Sequence, residues 1–266
     1  MAAPADPAAA RGTLHLVPVP LVDASTAAPL PGSALGVLAP ASLAVVRAAR
    51  YFLVENARSA RAFLKAVGHP DPIASLDIVQ IGHEPDAALI DQWLAPLTLA
   101  PPVDAVVLSE AGCPGIADPG TSLAARAHEC GIPVVPWPGP SSLVLALMGA
   151  GMNGQQFRFL GYLPQDREDL RQRLLALQPD AQRGETQVFI ETPYRNARLF
   201  EIILQVCDPA LRLCLAIDLT GAHAVLRTHT VGQWSRMAPA QWPALDRRPA
   251  VFLLHGQPGG RASPHR

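Results

Sequence analysis

The chain has 266 residues, of which 49% are hydrophobic and 16% charged, and its formal net charge is −1. This composition is typical of a folded protein with a sizeable core and excludes a disordered chain. A net charge near zero also disfavours a dedicated nucleic-acid-binding protein, although the net charge does not reveal a local basic patch. The length suffices for one large domain or for two of ordinary size.

The four cysteines include no CxxC pair, which indicates a reducing compartment, and we expect a cytoplasmic protein. The first residues lack the charged start and apolar stretch of a secretory signal. No apolar run approaches the roughly 18 residues of a membrane span, so no membrane partner is expected. Residues 1–11 and 257–266 are predicted to be disordered tails.

The first half of the chain alternates short β-branched segments with amphipathic segments. Strands are predicted at residues 13–19, 51–55, 77–81, 103–109 and 132–136, and helices at 40–50, 56–67, 86–94 and 119–130. This alternation predicts an α/β domain over residues 12–137 with a mostly parallel sheet. Ligands bind such sheets outside the carboxyl ends of the strands, where Glu55 and Ser109 lie.

A turn-rich segment at residues 137–142, with two prolines and one glycine, predicts a domain boundary. Beyond it, helices are predicted at residues 142–148, 166–177 and 193–206, and strands at 157–161, 187–191, 211–218, 224–230 and 250–255. Helices become sparse towards the end. We therefore expect a second α/β domain over residues 142–256 with a mixed sheet.

The segment SEAGCPGIADPG at residues 109–120, here called the glycine-rich loop, follows a buried strand and precedes a helix. Its glycines permit close approach of backbone to a ligand, and free N–H groups at the following helix favour a carboxylate. Glu110 and Asp118 could accept hydrogen bonds from ammonium or hydroxyl groups. The loop exceeds the 2–6 residues common for such connections, so it is interpreted as a ligand-binding loop. The segment 138–142 is either a linker or part of the same site.

Other patterns are less informative. GAGMNG at residues 149–154 matches GxGxxG but follows a predicted helix, whereas a dinucleotide-binding loop follows a strand. Arg167, Arg171 and Arg173 alternate with acids, which favours a solvated helix face over an RNA contact. No metal-ligand spacing is present, and we expect no metal.

Several motifs occur in an order that resembles the tetrapyrrole-methylase family. They are GTLHLVP at residues 12–18, the glycine-rich loop, GIPVVP and PGPS at 131–141, GYLP at 161–164, FIETPYR at 189–195 and LT at 219–220. The chain is most similar to the branch that methylates a ribose 2′-hydroxyl of 16S ribosomal RNA.

The resemblance implies two α/β domains of the class III methyltransferase type, S-adenosyl-L-methionine in the cleft between them, and a homodimer that acts on RNA or a ribosomal subunit. The cofactor-binding residues that it implies span both domains. They are Pro18, Ser109, Glu110, Ala111, Gly112, Asp118, Gly139, Pro140, Ser141, Thr192, Leu219 and Thr220.

The chain departs from the pattern of that branch in four segments. It has PVPLVD at residues 18–23 and ENAR at 55–58, where the branch has ATPIGNL-like and EDTR-like stretches. It has TPYR at residues 192–195 in place of an SPHR-like stretch, and LTGAHA at 219–224 in place of an LTKxHE-like stretch, without the acid. The cofactor-side motifs match better than the substrate-side motifs.

Methyl transfer to an alcohol needs alignment of donor and acceptor and a base within hydrogen-bond reach. Glu55, Glu191 and Asp218 lie at predicted strand ends and are the candidate bases, although each could instead be an ion-paired acid. Arg195 and Arg58 could contact a phosphate or form salt bridges. The leading hypothesis is a methyltransferase acting on ribosomal RNA. The alternatives are a tetrapyrrole or other small-molecule acceptor, or a cofactor-binding module without catalysis.

Overall fold

The computed structural model describes residues 11–22 and 34–256 of the chain. The chain divides into two compact units, the first ending at Ser141 and the second beginning at Ser142. The predicted tails lie outside the described residues, except for Arg11. Among the helices of the described ranges, none is long and apolar enough to cross a membrane.

The first unit contains a five-stranded sheet in the order β3-β2-β4-β1-β5, in which every strand pair is parallel. Its strands are Leu14–Leu16 (β1), Tyr51–Val54 (β2), Asp77–Gln80 (β3), Ala105–Leu108 (β4) and Val134–Pro136 (β5). Its α-helices are Pro40–Ala48 (α1), Ala57–Ala66 (α2), Ile90–Leu94 (α3) and Thr121–Glu129 (α4). The predicted parallel α/β architecture is confirmed.

Both faces of this sheet are covered, as a parallel sheet requires. Along β2, Phe52 and Val54 belong to one core cluster, to which α1 and α2 contribute. Tyr51 and Leu53 belong to a second cluster, to which α3 and α4 contribute. Successive side chains of a strand point to opposite faces, so a continuous apolar strand fits between two helix layers.

The second unit contains a mixed five-stranded sheet in the order β6-β7-β10-β8-β9, with β6 and β7 parallel and the other pairs antiparallel. Its strands are Phe157–Tyr162 (β6), Thr186–Glu191 (β7), Arg212–Ile217 (β8), Val225–Thr230 (β9) and Ala250–His255 (β10). Its α-helices are Ser142–Ala150 (α5), Arg167–Gln182 (α6), Asn196–Val206 (α7) and Val231–Arg236 (α8). The predicted mixed sheet is confirmed.

Several element boundaries differ from the predicted ones. Helix α4 begins at Thr121 rather than at residue 119, because Gly120 adopts a φ of 139° that interrupts the helix. Helix α6 continues past Leu177 and through Pro179, since its last turns are anchored by Gln178, whose side chain accepts a hydrogen bond from the backbone N–H of Asp208 at 2.8 Å. The capping box that begins α8 at Thr230 was not predicted.

The core of the second unit depends on a stacked aromatic pair, Phe189 and Phe252, with ring centroids 5.8 Å apart. We expect Phe252→Ala to lower the free energy of unfolding by about 3–5 kcal/mol, because it leaves a cavity at a fully buried position. Urea denaturation measures the loss. The matched control is Phe157→Ala at a side chain that is 49% exposed, for which a comparable loss would contradict this assignment of the core.

Candidate active site

The glycine-rich loop is attached to the segment that follows β1 at the carboxyl edge of the first sheet. Val19 and Gly112 form an isolated antiparallel bridge, with N···O distances of 2.9 and 3.1 Å. Gly112 adopts a φ of 72°, which a side chain would strain. Ser109 is buried, and its hydroxyl donates to the carbonyl of Gly112 at 3.3 Å. The loop is therefore held at its base while Glu110 and Ala111 remain exposed.

The segment after β5 packs against the same place. A Cβ added to Gly139 would lie 2.4 Å from Cβ of Pro18, so only glycine permits this approach. The thiol of Cys113 donates to the carbonyl of Pro140 at 3.4 Å. Burial, and then the charge of Asp118, raises the pKa of this thiol above its ordinary value. A protonated, hydrogen-bonded thiol has little nucleophilic character.

The Glu55 carboxylate is the most enclosed acidic group at this edge, with the residue only 8% exposed. Its Oε2 accepts a hydrogen bond from the backbone N–H of Glu110 at 2.9 Å. Its Oε1 lies 2.9 Å from Nδ1 of His83, whose side chain is 58% exposed. The hydrogen bond to Glu55 is the main factor that raises the pKa of His83 above its ordinary value.

Asp118 lies in the same cluster. Burial, together with the charges of Glu55 and Glu110 and against the opposing effect of His83, raises the pKa of Asp118 to about 7. The folded chain therefore holds the Asp118 proton more tightly than the unfolded chain does. This stabilisation is complete below the ordinary aspartate pKa and is lost as the pH rises through about 7.

The donor atoms of Glu55, His83 and Asp118 all lie within 4.8 Å of one another. This spacing would fit a shared divalent cation, and equally a hydrogen-bonded cluster that faces a cationic ligand. The hydrogen bond that already joins Glu55 to His83 favours the second arrangement. The positive group would then come from the ligand.

A cavity of about 610 Å³ adjoins the edge. Most of its lining is apolar, including Val19, Leu21 and Phe63, and Ser109 and Glu110 border it. This volume falls in the range of small-molecule sites.

The second unit contains the other predicted catalytic pair. Glu191 is buried at the end of β7, and its Oε1 accepts hydrogen bonds from Arg195 Nη2 at 2.6 Å and from the backbone N–H of Thr192 at 2.6 Å. Arg195 lies at the start of α7, so the pair spans the turn between strand and helix. Tyr194 in that turn is 76% exposed.

The predicted residues after β8 form a tight turn. Asp218 accepts a hydrogen bond from Nε of Arg248 at 2.5 Å. Asp218 and Thr220 adopt positive φ angles of 49° and 69°, and Leu219 between them is half-buried. The Thr220 hydroxyl is buried and has no hydrogen-bond partner within the described part of the chain.

The structure thus groups the sequence-predicted residues unit by unit. At the carboxyl edge of the first sheet lie Pro18, Gly112, Gly139 and Pro140. Ser141 ends the segment that follows β5. Glu55, Glu110 and Asp118 lie beside them. Thr192 and Arg195 contact Glu191, whereas Leu219 and Thr220 lie in a separate turn of the second unit. Their roles with a ligand stay predictions.

His83 is the residue that sequence reasoning missed. It follows β3 by three positions, at the same edge as Glu55 and Ser109. Ligand-binding residues are expected beyond the carboxyl end of each strand of a parallel sheet, so the position of His83 after β3 is the signal that points to it.

No protein-family model matches the chain. It is 32% identical over 212 residues to ribosomal RNA small subunit methyltransferase I of Xylella fastidiosa, a match that covers 79% of this chain and 69% of that protein. It is 29% identical over 172 residues to the protein of the same name from Vibrio cholerae, covering 63% of this chain and 55% of that protein. The matches thus span about half to two thirds of these relatives.

Solved structures show the same fold at low sequence identity. The methyltransferase CobJ has a TM-score of 0.59 at 17% identity, with 95% of this chain and 97% of that chain covered. Uroporphyrin-III C-methyltransferase from Thermus thermophilus, solved with S-adenosylhomocysteine, has a TM-score of 0.55 at 17% identity, with 92% and 97% covered.

A parallel α/β unit followed by a mixed α/β unit, with a glycine-rich loop after β4, defines the tetrapyrrole-methylase fold. Within that fold, the similarity over most of the chain is to one group of proteins. The chain belongs to the family of ribosomal RNA small subunit methyltransferase I.

The contact between Gly139 and Pro18 can be tested directly. We expect Gly139→Ala to lower the free energy of unfolding by about 1–3 kcal/mol, since the added methyl overlaps a rigid proline ring. Thermal unfolding measures the change. Gly154→Ala is the matched control, because a Cβ there meets nothing within 4 Å. Equal stability of both variants would contradict the close packing of these segments.

Proposed function

We propose that this chain is an S-adenosyl-L-methionine-dependent methyltransferase that methylates a ribose 2′-hydroxyl of 16S ribosomal RNA in the small ribosomal subunit. Membership of the ribosomal RNA methyltransferase family supports the reaction class and the acceptor. The observation that carries the proposal is the carboxyl edge of the first sheet, where a glycine-rich loop is held open beside a cluster of acids.

The cofactor fits the chemistry of this edge. S-adenosyl-L-methionine has a cationic sulfonium and an ammonium group, and both are attracted to Glu55, Glu110 and Asp118. Backbone N–H groups of the glycine-rich loop are suited to its carboxylate. The roles of Pro18, Ala111 and Gly139 follow from their place at the rim, where they shape the backbone without a charge of their own.

The acidic groups at this edge also attract the cationic donor more strongly than the uncharged sulfur of the product. When the methyl group leaves, the sulfonium becomes a neutral thioether and loses its attraction to the acids. S-adenosylhomocysteine should therefore bind more weakly than the donor, which favours release of the product.

Two arginines are the candidates for binding the RNA acceptor. In the second unit, Glu191 orients the Arg195 guanidinium, and a held guanidinium is suited to a backbone phosphate. Arg58 at the start of α2 is exposed and could serve in the same way. The homodimer stays a prediction of the family resemblance, and the cytoplasmic location stays a prediction of the cysteine pattern.

Methyl transfer from labelled S-adenosyl-L-methionine tests the proposed function. We expect label in 16S ribosomal RNA of small subunits that lack this modification, at a ribose, and none in a porphyrinogen. Labelling of the porphyrinogen alone would favour the small-molecule alternative. Cofactor binding with no transfer to either acceptor would favour a non-catalytic module.

Cofactor affinity should depend on the ionisation of Asp118. Since its pKa is about 7, lowering the pH from 8 to 6 protonates the carboxyl, and affinity for S-adenosyl-L-methionine should fall about tenfold. Asp118→Asn should bind weakly at both values. Calorimetric titration measures both effects, with Glu201→Gln as an exposed control. A pH-independent affinity in the unaltered chain would contradict the contact with Asp118.

A further inference from the structure

Glu55 is arranged to hold a histidine rather than to take a proton from a substrate itself. It is 8% exposed, and its two oxygens face the backbone N–H of Glu110 and the ring of His83. A carboxylate beside Nδ1 keeps the proton on that nitrogen in the neutral ring, which leaves Nε2 as the basic atom. Across the described ranges, Nε2 of His83 has no hydrogen-bond partner, and the ring is 58% exposed.

We infer that His83 is the general base of the methyl transfer and that Glu55 is its positioning residue. The inference rests on the proposed function, and it replaces Glu55 as the base with the residue that Glu55 orients. A carboxylate that fixes an imidazole, which then takes a proton from a hydroxyl, is a common arrangement for activating an alcohol.

The ribose oxygen forms a bond to the methyl carbon while the carbon–sulfur bond of the sulfonium breaks, and that electron pair stays on sulfur. The hydroxyl proton passes to Nε2 of His83, giving an imidazolium that Glu55 stabilises through Nδ1. Water then takes this proton, so the products are the methyl ether, S-adenosylhomocysteine and one proton.

The charged groups that affect the pKa of His83 are all acidic. Glu55, Asp118 and Glu84 all raise the pKa of His83, and its limited burial opposes them. A raised pKa makes the ring a stronger base, but it also requires a higher pH for the neutral form. Activity should therefore rise with pH along a limb that lies above the ordinary histidine value.

The test compares His83→Ala with the unaltered chain on unmethylated small ribosomal subunits at saturating cofactor. We expect kcat to fall by about 100-fold or more, the typical size of general-base catalysis, with cofactor affinity unchanged within about twofold. Added imidazole should restore part of the rate, which would not happen if His83 had a merely structural role. His128→Ala, at an exposed histidine of α4, is the matched control and should keep full activity.

A second variant tests the positioning role. Glu55→Gln has one oxygen for two donors and carries no charge, so we expect kcat to fall and the pH limb to move to lower pH. Circular dichroism and thermal unfolding confirm that the variant folds. An unchanged pH profile in a folded Glu55→Gln variant would overturn the assignment of Glu55.

The remaining outcomes are distinct. If the unaltered chain methylates small subunits and His83→Ala does so equally well, the base assignment is wrong and the proposed function stands. If the unaltered chain transfers no methyl group, both fail. Stoichiometric binding of Mn²⁺ that His83→Ala abolishes, together with no rescue by imidazole, would overturn the base role and assign the cluster to a cation instead.

Discussion

The parallel order of the first sheet is the constraint on which the candidate active site depends. Five parallel strands place all their carboxyl ends at one edge, so residues far apart in the chain meet there. Glu55 follows β2, His83 follows β3 and Ser109 follows β4. The central strands β2 and β4 are buried along their whole length and consist of apolar residues and one tyrosine. The candidate site residues therefore lie in the loops that follow the strands, and the Val19–Gly112 bridge holds the glycine-rich loop against the segment that follows β1.

Like charges lie close together at this edge and strain it electrostatically. Glu55, Glu110 and Asp118 are like charges in partial burial, and the cost appears as the raised pKa of Asp118. In the folded chain without a ligand, rising pH ionises Asp118 and destabilises the fold. A bound sulfonium would relieve that cost. The same acids make His83 more basic, so under the proposed function one arrangement of charges would serve both donor binding and proton removal.

The sequence predicted most of the architecture, because its signals were local. Hydrophobic periodicity and glycine or proline breaks placed all ten strands of the described chain within a few residues. What it missed depended on tertiary contacts: the continuation of α6 through Pro179 needed its packing, and the role of His83 needed the spatial approach of Glu55. The acids and glycines of the site were visible as residue types, but their pairings were not, since no local pattern determines which oxygen faces which donor.

Two of the four departures from the family pattern can be explained by contacts in the structure. In ENAR, Asn56 caps α2 by accepting from the backbone N–H of Arg58 at 2.9 Å, a role for which asparagine and aspartate are about equally suited. In TPYR, the exposed Tyr194 stands where the SPHR-like stretch has histidine, and Arg195, which both stretches have, pairs with Glu191 in this chain. These two substitutions thus leave the helix cap and the ion pair in place, and the second changes an exposed side chain. Under the proposed function, the change at Tyr194 would alter an exposed surface of the second unit while the neighbouring ion pair is kept.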